Sequence, residues 1–347
     1  EMTSSLVGSE MCIRDRLGKE QVISESFALC GHNVSFDELK GIYEWQMVRG
    51  INLLCQHLEG YSIGGMRKRD YPPTLFIQQP WWEDYKYFID AMSREGMILA
   101  TGENECSILL LHPQSKAWTL FNNHNNQKIL QLNQKFLDTI AILEKKHVAF
   151  HLGDEMIMER HAYVEDGCVV IGNYRYNQVC LVQDEVLFDS TRKLLEMYQA
   201  QGGKVVTVDD IEEVTVIDSD KISYTVRKFE DCLVHFFVNS NNEYVDTKIF
   251  VNGKRLNVVT AELTGFDGVH TFEPYGSLII VEKLCLNNHC QDIHTSDVIR
   301  KVNGSNTVEV VTLDEEMVIE ECAPNAITLD KCDYYFDGIL QEKNGYV

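Results

Sequence analysis

Short apolar runs alternate with stretches of helical period through much of the chain. Val22-Ile23 form one such run, ending at Ser24-Glu25. Ser35-Phe36-Asp37-Glu38 then has the form of a capping box, a serine N-cap with a glutamate three residues on. The helix it opens is predicted to reach about Arg49, with Leu39, Ile42, Tyr43 and Met47 on one apolar face, and to end at Gly50. Ile51 to Cys55 reads as a buried strand with Gln56-His57 at its carboxyl end. Strand, helix and strand in this order make a βαβ unit, whose strands are parallel and adjacent. Ligand groups in such folds gather at the carboxyl ends of strands, where Glu25 and His57 both fall. The segment from Leu58 to Pro80 is long and irregular, and carries Gly64-Gly65, the basic cluster Arg67-Lys68-Arg69 and Tyr71-Pro72-Pro73. Its length suits a functional loop and its aromatic content argues against disorder. A helix from about Trp82 to Leu99 follows.

A second series of α/β units starts near Cys106. Ser107 to Leu111 is a predicted strand ending at His112-Pro113, and Ile129 to Lys145 is a predicted helix with Leu132, Phe136, Ile140 and Leu143 at helical spacing. Val148 to Phe150 reads as the next strand, Ala162 to Ile171 as a hairpin turning at Glu165-Asp166-Gly167, and Gln178 to Val182 as another strand. Leu187 to Ala200 is a helix closed by Gly202-Gly203, and Lys204 to Val208 a further strand. This alternation predicts a flavodoxin-like three-layer sandwich. After Asp210 the pattern changes to short β-rich runs, Cys232 to Asn239, Asp246 to Val251 and Ser277 to Glu282, as in a β-sandwich. Thr307 to Glu320 is β-rich as well. The expected divisions are a leader over 1–16, a first α/β region over 17–103, a flavodoxin-like domain over 104–210, a β-sandwich over 211–284 and a further β-rich domain from 285 to 347.

The formal charge of −22 repels phosphate backbones and excludes nucleic acid as a natural partner. The 11 cysteines are odd in number and lack CxxC spacing, and Cys55, Cys106 and Cys180 sit in apolar runs, where cysteine acts as a small hydrophobe. A reducing compartment, the bacterial cytoplasm, is therefore expected. No run of 18 or more apolar residues exists to span a membrane. Ser4 to Arg16 resembles a translated sequencing-adapter sequence, so residues 1–16 are expected to be a non-native leader and the native chain to start in mid-gene.

Glu25 is the strongest chemical candidate, because a carboxylate at a parallel strand's carboxyl end is a usual supplier of one of the two acids that cleave a glycosidic bond. His57 is suited to hydrogen-bond a sugar hydroxyl or to orient Glu25. Tyr61 and Tyr71 are candidates to line the same pocket. Trp81 and Trp82 offer flat faces for sugar rings, one expected in the pocket and the other packing beneath it. Arg67, Lys68 and Arg69 read as a solvated loop or as contacts for an acidic sugar. Cys180 lacks the glycine-flanked sharp turn of an exposed nucleophile, and His112-Pro113-Gln114-Ser115 stands where a phosphate-cradling glycine loop would be, so flavin and nucleotides are not expected. His112 is able to face the mouth of the first region.

Ser24-Glu25, Phe36 to Lys40, Gly50-Ile51-Asn52 and His57, followed by Pro80-Trp81-Trp82 and Arg94, resemble the end of the TIM-barrel catalytic domain in large bacterial glycoside hydrolases. The nearest pattern is that of the α-L-rhamnosidase family with very long chains and its uncharacterised relatives. Val164 to Val179 resembles the amidotransferase-like module that follows the barrel in several β-galactosidase-type enzymes. Arg227 to Glu282, with Pro274-Tyr275-Gly276-Ser277, resembles the family's β-sandwich, and Asn325 to Asp330 the run leading into a sugar-binding-type β domain. The resemblance implies the C-terminal part of a (β/α)8 barrel, then a flavodoxin-like (amidotransferase-like) α/β/α domain, then a β-sandwich. It further implies a glycosidase fragment acting on terminal O-glycosidic bonds of an oligosaccharide or glycoside. Glu25 would be general base or nucleophile, and the partner acid would lie on an earlier strand. No cofactor is expected. Calcium, used by some relatives, finds no clear acidic cage in the sequence, and oligomeric state is left open. The alternatives are a non-catalytic carbohydrate-binding module and an interaction scaffold.

Overall fold

The structure, a computed structural model, describes residues 16–284 apart from 20, 60, 61, 63, 70, 74, 123, 124 and 183–185, together with 332–336 and 339–345. Two compact units divide at residue 302. In the second, strands Cys332–Phe336 and Ile339–Gly345 pair antiparallel. The sequence expectations for 307–320 and 325–330 lie outside the described residues.

In the first unit, β1 (Ile23–Ser26) pairs in parallel with β2 (Leu53–Gln56), Glu25 standing opposite Cys55. Helix α1 (Phe36–Met47) joins them. Its N-terminus carries the expected capping box, with Ser35 accepting from the Glu38 N–H and the Glu38 carboxylate accepting from the Ser35 N–H. Gly50, at φ +102°, lets the chain leave the helix, and the Ile51 N–H reaches back to the Gln46 carbonyl. The strand expected over 51–55 begins at Leu53 and is not buried. Leu53 and Cys55 are exposed, because β1 and β2 form only a two-stranded sheet whose outward face is uncovered among the described residues. Cys55 is thus an exposed thiol rather than a core residue. Ile42, expected on the apolar face of α1, is also exposed, while the polar Glu44 and Gln46 are buried in its stead.

Helix α2 (Tyr85–Ala100) begins three residues later than expected, since Trp81 to Asp84 are held in turns, the Asp84 and Tyr85 N–H groups both donating to the Trp81 carbonyl. It lies close over the start of β2: a Cβ on Gly96 would stand 2.6 Å from the Asn52 carbonyl oxygen.

The next region has a four-stranded parallel sheet in the order β4-β3-β8-β9, where β3 is Ile108–Leu111, β4 Phe150–Gly153, β8 Gln178–Cys180 and β9 Lys204–Val206. The strand expected over 148–150 starts at Phe150, the register being set by Ile108 opposite Phe150. Helices cover both faces. Leu109, Leu111 and Val179 pack with Met158 of α5 (Glu155–His161) and with Leu194, Leu195 and Tyr198 of α6 (Asp189–Ala200). Ile108, Leu110 and Cys180 pack with Phe136, Ile140 and Leu143 of α4 (Gln127–Lys145). A short α3 (Gln114–Leu120) follows β3. Strands β5 (Ala162–Glu165), β6 (Cys168–Ile171) and β7 (Tyr174–Tyr176) form an antiparallel meander. Its first turn is the expected one, with Asp166 and Gly167 at φ +50° and +69°, the two left-handed positions of a two-residue hairpin loop. Arg16, the last residue of the expected leader, is buried and donates from Nε to the Tyr176 hydroxyl (2.9 Å) and from Nη2 to the Leu152 carbonyl (2.7 Å).

The β-rich region holds a five-stranded sheet in the order β10-β11-β16-β13-β14 and a two-stranded sheet of β12 and β15. The large sheet comprises β10 (Ile222–Lys228), β11 (Cys232–Asn239), β13 (Lys254–Asn257), β14 (Glu262–Gly265) and β16 (Ser277–Lys283); β12 is Val245–Lys248 and β15 Val269–Phe272. Alternation along β11 divides its environment. Val234, Phe236 and Val238 join Leu39, Tyr43 and Met47 of α1 and Phe88, Met92 and Leu99 of α2 in one core. Phe237, with Leu278 and Ile280 of β16, packs on Ile249, Val251 and Phe272. Helices therefore cover one face of this sheet and the small sheet part of the other.

Candidate functional site

The geometry at the ends of β1 and β2 follows from strand alternation. Ser24 and Ser26 both meet the buried Gln46 of α1: the Ser24 hydroxyl donates to Gln46 Oε1, and Gln46 Nε2 donates to the Ser26 hydroxyl at 2.8 Å. Their neighbour Glu25 points to the opposite, open face, where its side chain is 59% exposed. The His57 N–H donates to the Ser26 carbonyl at 2.9 Å, extending the parallel pairing by one residue. This brings His57 Nε2 to 3.7 Å from Glu25 Oε1. The imidazole is 19% exposed, and its Nδ1 is buried without a hydrogen-bond partner in the chain. The Tyr71 ring leans over it, with centroids 5.2 Å apart. The loop that carries Tyr71 is tied back by the Gly31 N–H, which donates to the Pro72 carbonyl at 3.0 Å. The structure thus brings Glu25, His57 and Tyr71 together.

Trp81 and Trp82 are placed differently. Both are half-buried against the α1–α2 core. Trp81 lies 5.5 Å from Phe36 and 5.3 Å from Tyr85, and Trp82 stacks on Tyr85 at 6.1 Å. The expected division, one ring in a pocket and one beneath, is not what these contacts describe: both rings join one aromatic cluster centred on Tyr85. That cluster touches the strand ends through the Tyr85 hydroxyl, which donates to Gln56 Oε1. Burial pushes the Tyr85 phenol well above its ordinary pKa, so it stays a donor. Tyr61 lies outside the described residues. Residues 65–69, which include the basic cluster, form a 3-10 turn.

Tyr85, Gln56 and Gln46 are the residues that sequence reasoning missed. The Ser-x-Ser alternation of β1 opposite a helix glutamine is the signal that would have found Gln46. In the four-stranded sheet, His112 packs edge-on to Phe136 with centroids 4.7 Å apart, and burial lowers its pKa. Cys180 is buried and its thiol is pushed up to about 12, so it is no nucleophile. Among the described residues no group of three or more His, Cys, Asp or Glu side chains is placed to hold a metal ion. None of the described helices is long and apolar enough to cross a membrane. The arrangement at Glu25 therefore offers one carboxylate and one imidazole at an open strand end, groups able to hold a hydroxyl and move a proton.

No family model matches this sequence, and no curated protein matches it. Solved structures do match in fold. A rhamnosidase from Novosphingobium sp. PP1Y superposes with a TM-score of 0.56 at 11% identity, over 84% of this chain and 34% of that one. A beta-galactosidase from Bacillus circulans sp. alkalophilus gives 0.56 at 10% identity, over 80% and 58%. A catalytic mutant of a GH42 beta-galactosidase from G. stearothermophilus gives 0.54 at 10% identity, over 82% and 57%. The chain has a mixed α/β fold shared with glycoside hydrolases, and it spans about a third of the rhamnosidase and less than two thirds of the galactosidases.

Proposed function

We propose that this chain is part of a glycoside hydrolase that cleaves terminal O-glycosidic bonds, of α-L-rhamnosidase-like or β-galactosidase-like type. The observation that carries the reading is the pairing of Glu25 and His57, 3.7 Å apart at the carboxyl ends of adjacent parallel strands, in a fold shared with such enzymes. The β1–β2 pair is then the end of a (β/α)8 barrel, and preceding strands cover its open face. The parallel sheet region is the flavodoxin-like module after the barrel. Glu25 is one of the two carboxylates that glycoside hydrolysis requires, as general base or nucleophile, and its partner stands on a strand outside the described residues. His57 and Tyr71 contact the sugar directly. Trp81 and Trp82 support the pocket through Tyr85, and Tyr61 belongs to the same loop.

The competing reading is a non-catalytic carbohydrate-binding module, favoured by the exposure of Glu25. Glu25→Gln in the longer protein separates the two. Loss of aryl-glycoside hydrolysis with sugar binding retained supports the enzyme, and full activity in the variant refutes it. The 347-residue chain alone is expected to show no hydrolysis, because two carboxylates are needed.

A further inference from the structure

Strand alternation sets Ser24 and Ser26 on one face of β1 and Glu25, between them, on the other. Both serines meet one residue, Gln46, which is 2% exposed on the last turn of α1. The orientation of its amide follows from its neighbours. Nε2 lies 3.3 Å from the Ile42 carbonyl oxygen, and a carbonyl only accepts, so this is the N–H end of the amide. The second N–H donates to the Ser26 hydroxyl at 2.8 Å. Oε1 accepts from the Ser24 hydroxyl.

The serines complete a ring. The single hydroxyl proton of Ser24 goes to Gln46, so in the 3.2 Å contact between the two hydroxyls Ser26 donates and Ser24 accepts. The hydrogen bonds therefore run one way, from Gln46 to Ser26, from Ser26 to Ser24 and from Ser24 back to Gln46, and each polarises the next. A slip of β1 by one residue would set Glu25 against the buried amide and break all of these bonds at once. The chain is also pinned just past Ser26. Phe27 is buried, packs on Phe88 with ring centroids 6.3 Å apart, and holds φ at +78°. That left-handed conformation is strained for a bulky residue and persists only where the surroundings enforce it.

The Glu25 side chain is more than half exposed, so its direction is set by the strand that carries it. We propose that Gln46 is a positioning residue for Glu25: through the two serines it fixes the rotation and register of β1 and so aims the carboxylate at the face it shares with His57. The proposal rests on the reading of Glu25 as a catalytic carboxylate. Misplacing a reacting group by about 1 Å costs on the order of 100-fold in rate, so an uncharged amide on the closed face is able to govern turnover without touching the sugar.

The test is made in the longer protein of which this chain is proposed to be part, with p-nitrophenyl β-D-galactopyranoside and p-nitrophenyl α-L-rhamnopyranoside as substrates. Gln46→Met keeps the length of the side chain and removes its hydrogen bonds. Its kcat is expected to fall by about 10–100-fold, with KM changed by less than about threefold. A triple variant, Ser24→Ala with Ser26→Ala and Gln46→Leu, removes every member of the ring and leaves none of them unpaired. It is expected to recover the melting temperature lost in Gln46→Met but not kcat, whereas a merely structural role would restore both. Glu25→Gln separates the proposal from the reading beneath it. Full activity in that variant, or a parent protein that cleaves neither substrate, overturns the reading and the proposal together. Loss of activity in Glu25→Gln with kcat of Gln46→Met within about threefold of the parent overturns the proposal alone. Recovery of kcat in the triple variant does the same. If Gln46→Met does not fold, Ser24→Ala, which opens the ring at its half-buried member, takes its place under the same criterion.

Discussion

The β1–β2 pair and the sheet centred on β3 are both parallel and both fed by helices, but they treat their strands oppositely. All four residues of β3 are buried, with α4 on one face and α5 and α6 on the other. Along β1 and β2, α1 holds one set of side chains through Gln46, and the other set, Ile23, Glu25, Leu53 and Cys55, is half or fully open. Where both faces are covered, burial disfavours the charged forms of His112 and Cys180, and the buried His151 and Glu155 are hydrogen-bonded, His151 to the Tyr176 hydroxyl and Glu155 to Ser115. Where one face is open, the Glu25 carboxylate keeps its contact with solvent, and the largely buried His57 imidazole stands beside it at the strand ends. Under the proposed function, chemistry is placed on the face that is open among the described residues, and the closed sheet is where side chains are most fully buried.

The largest expected effect on stability falls on the closed sheet. Phe136, fully buried between α4 and β3, should cost about 3–5 kcal/mol when replaced by alanine. Glu25→Gln, at an exposed position, should change stability by less than about 0.5 kcal/mol. Urea unfolding of both variants checks this, and similar losses in the two would erase the contrast.

A second effect concerns the helices that back the open pair. Glu95 of α2 is buried against Glu44 of α1, and Glu44 accepts from Lys40 Nζ (2.7 Å) and from the Ser277 hydroxyl (2.7 Å). Burial first, then the neighbouring Glu44 charge, holds the Glu95 pKa well above its ordinary 4.5. The folded state thus keeps a proton that the unfolded state loses. The resulting stability is fully present below 4.5 and drains away as pH rises towards the raised folded value. Glu95→Gln should flatten this decline, read from melting temperatures between about pH 5 and 8. Parallel slopes for the variant and the parent chain would contradict the assignment.

The smallest effect is one of labelling. Cys55 on the open face should react with iodoacetamide at least about tenfold faster than Cys180, which should react only on unfolding. Peptide mapping by mass spectrometry reads both sites, and equal rates would show the two sheets to be equally open.

Much of this contrast was legible in the sequence where the signal is local. The Ser35–Glu38 box, the Asp166-Gly167 turn and the face of Leu132, Phe136, Ile140 and Leu143 are set by neighbours within a few residues, and the structure shows each. The parallel βαβ reading placed Glu25 near His57 for the same reason. What was hidden depends on distant partners. Glu44 is tolerated in a core because Ser277 lies beside it, and Tyr85 gathers both tryptophans because its hydroxyl meets Gln56. No period or motif around Trp81 announces that its ring turns inward.

The account's central claim is that the open strand ends, not the closed sheet, carry the sugar chemistry. It is tested most directly by kcat/KM on an aryl glycoside for Glu25→Gln and His112→Asn, made side by side in the longer protein of which this chain is proposed to be part. The account predicts a loss on the order of 10²–10⁴-fold for Glu25→Gln. For His112→Asn it predicts a change of less than about threefold, under 1 kcal/mol. Retained activity in Glu25→Gln, or a comparable loss in His112→Asn, would contradict it.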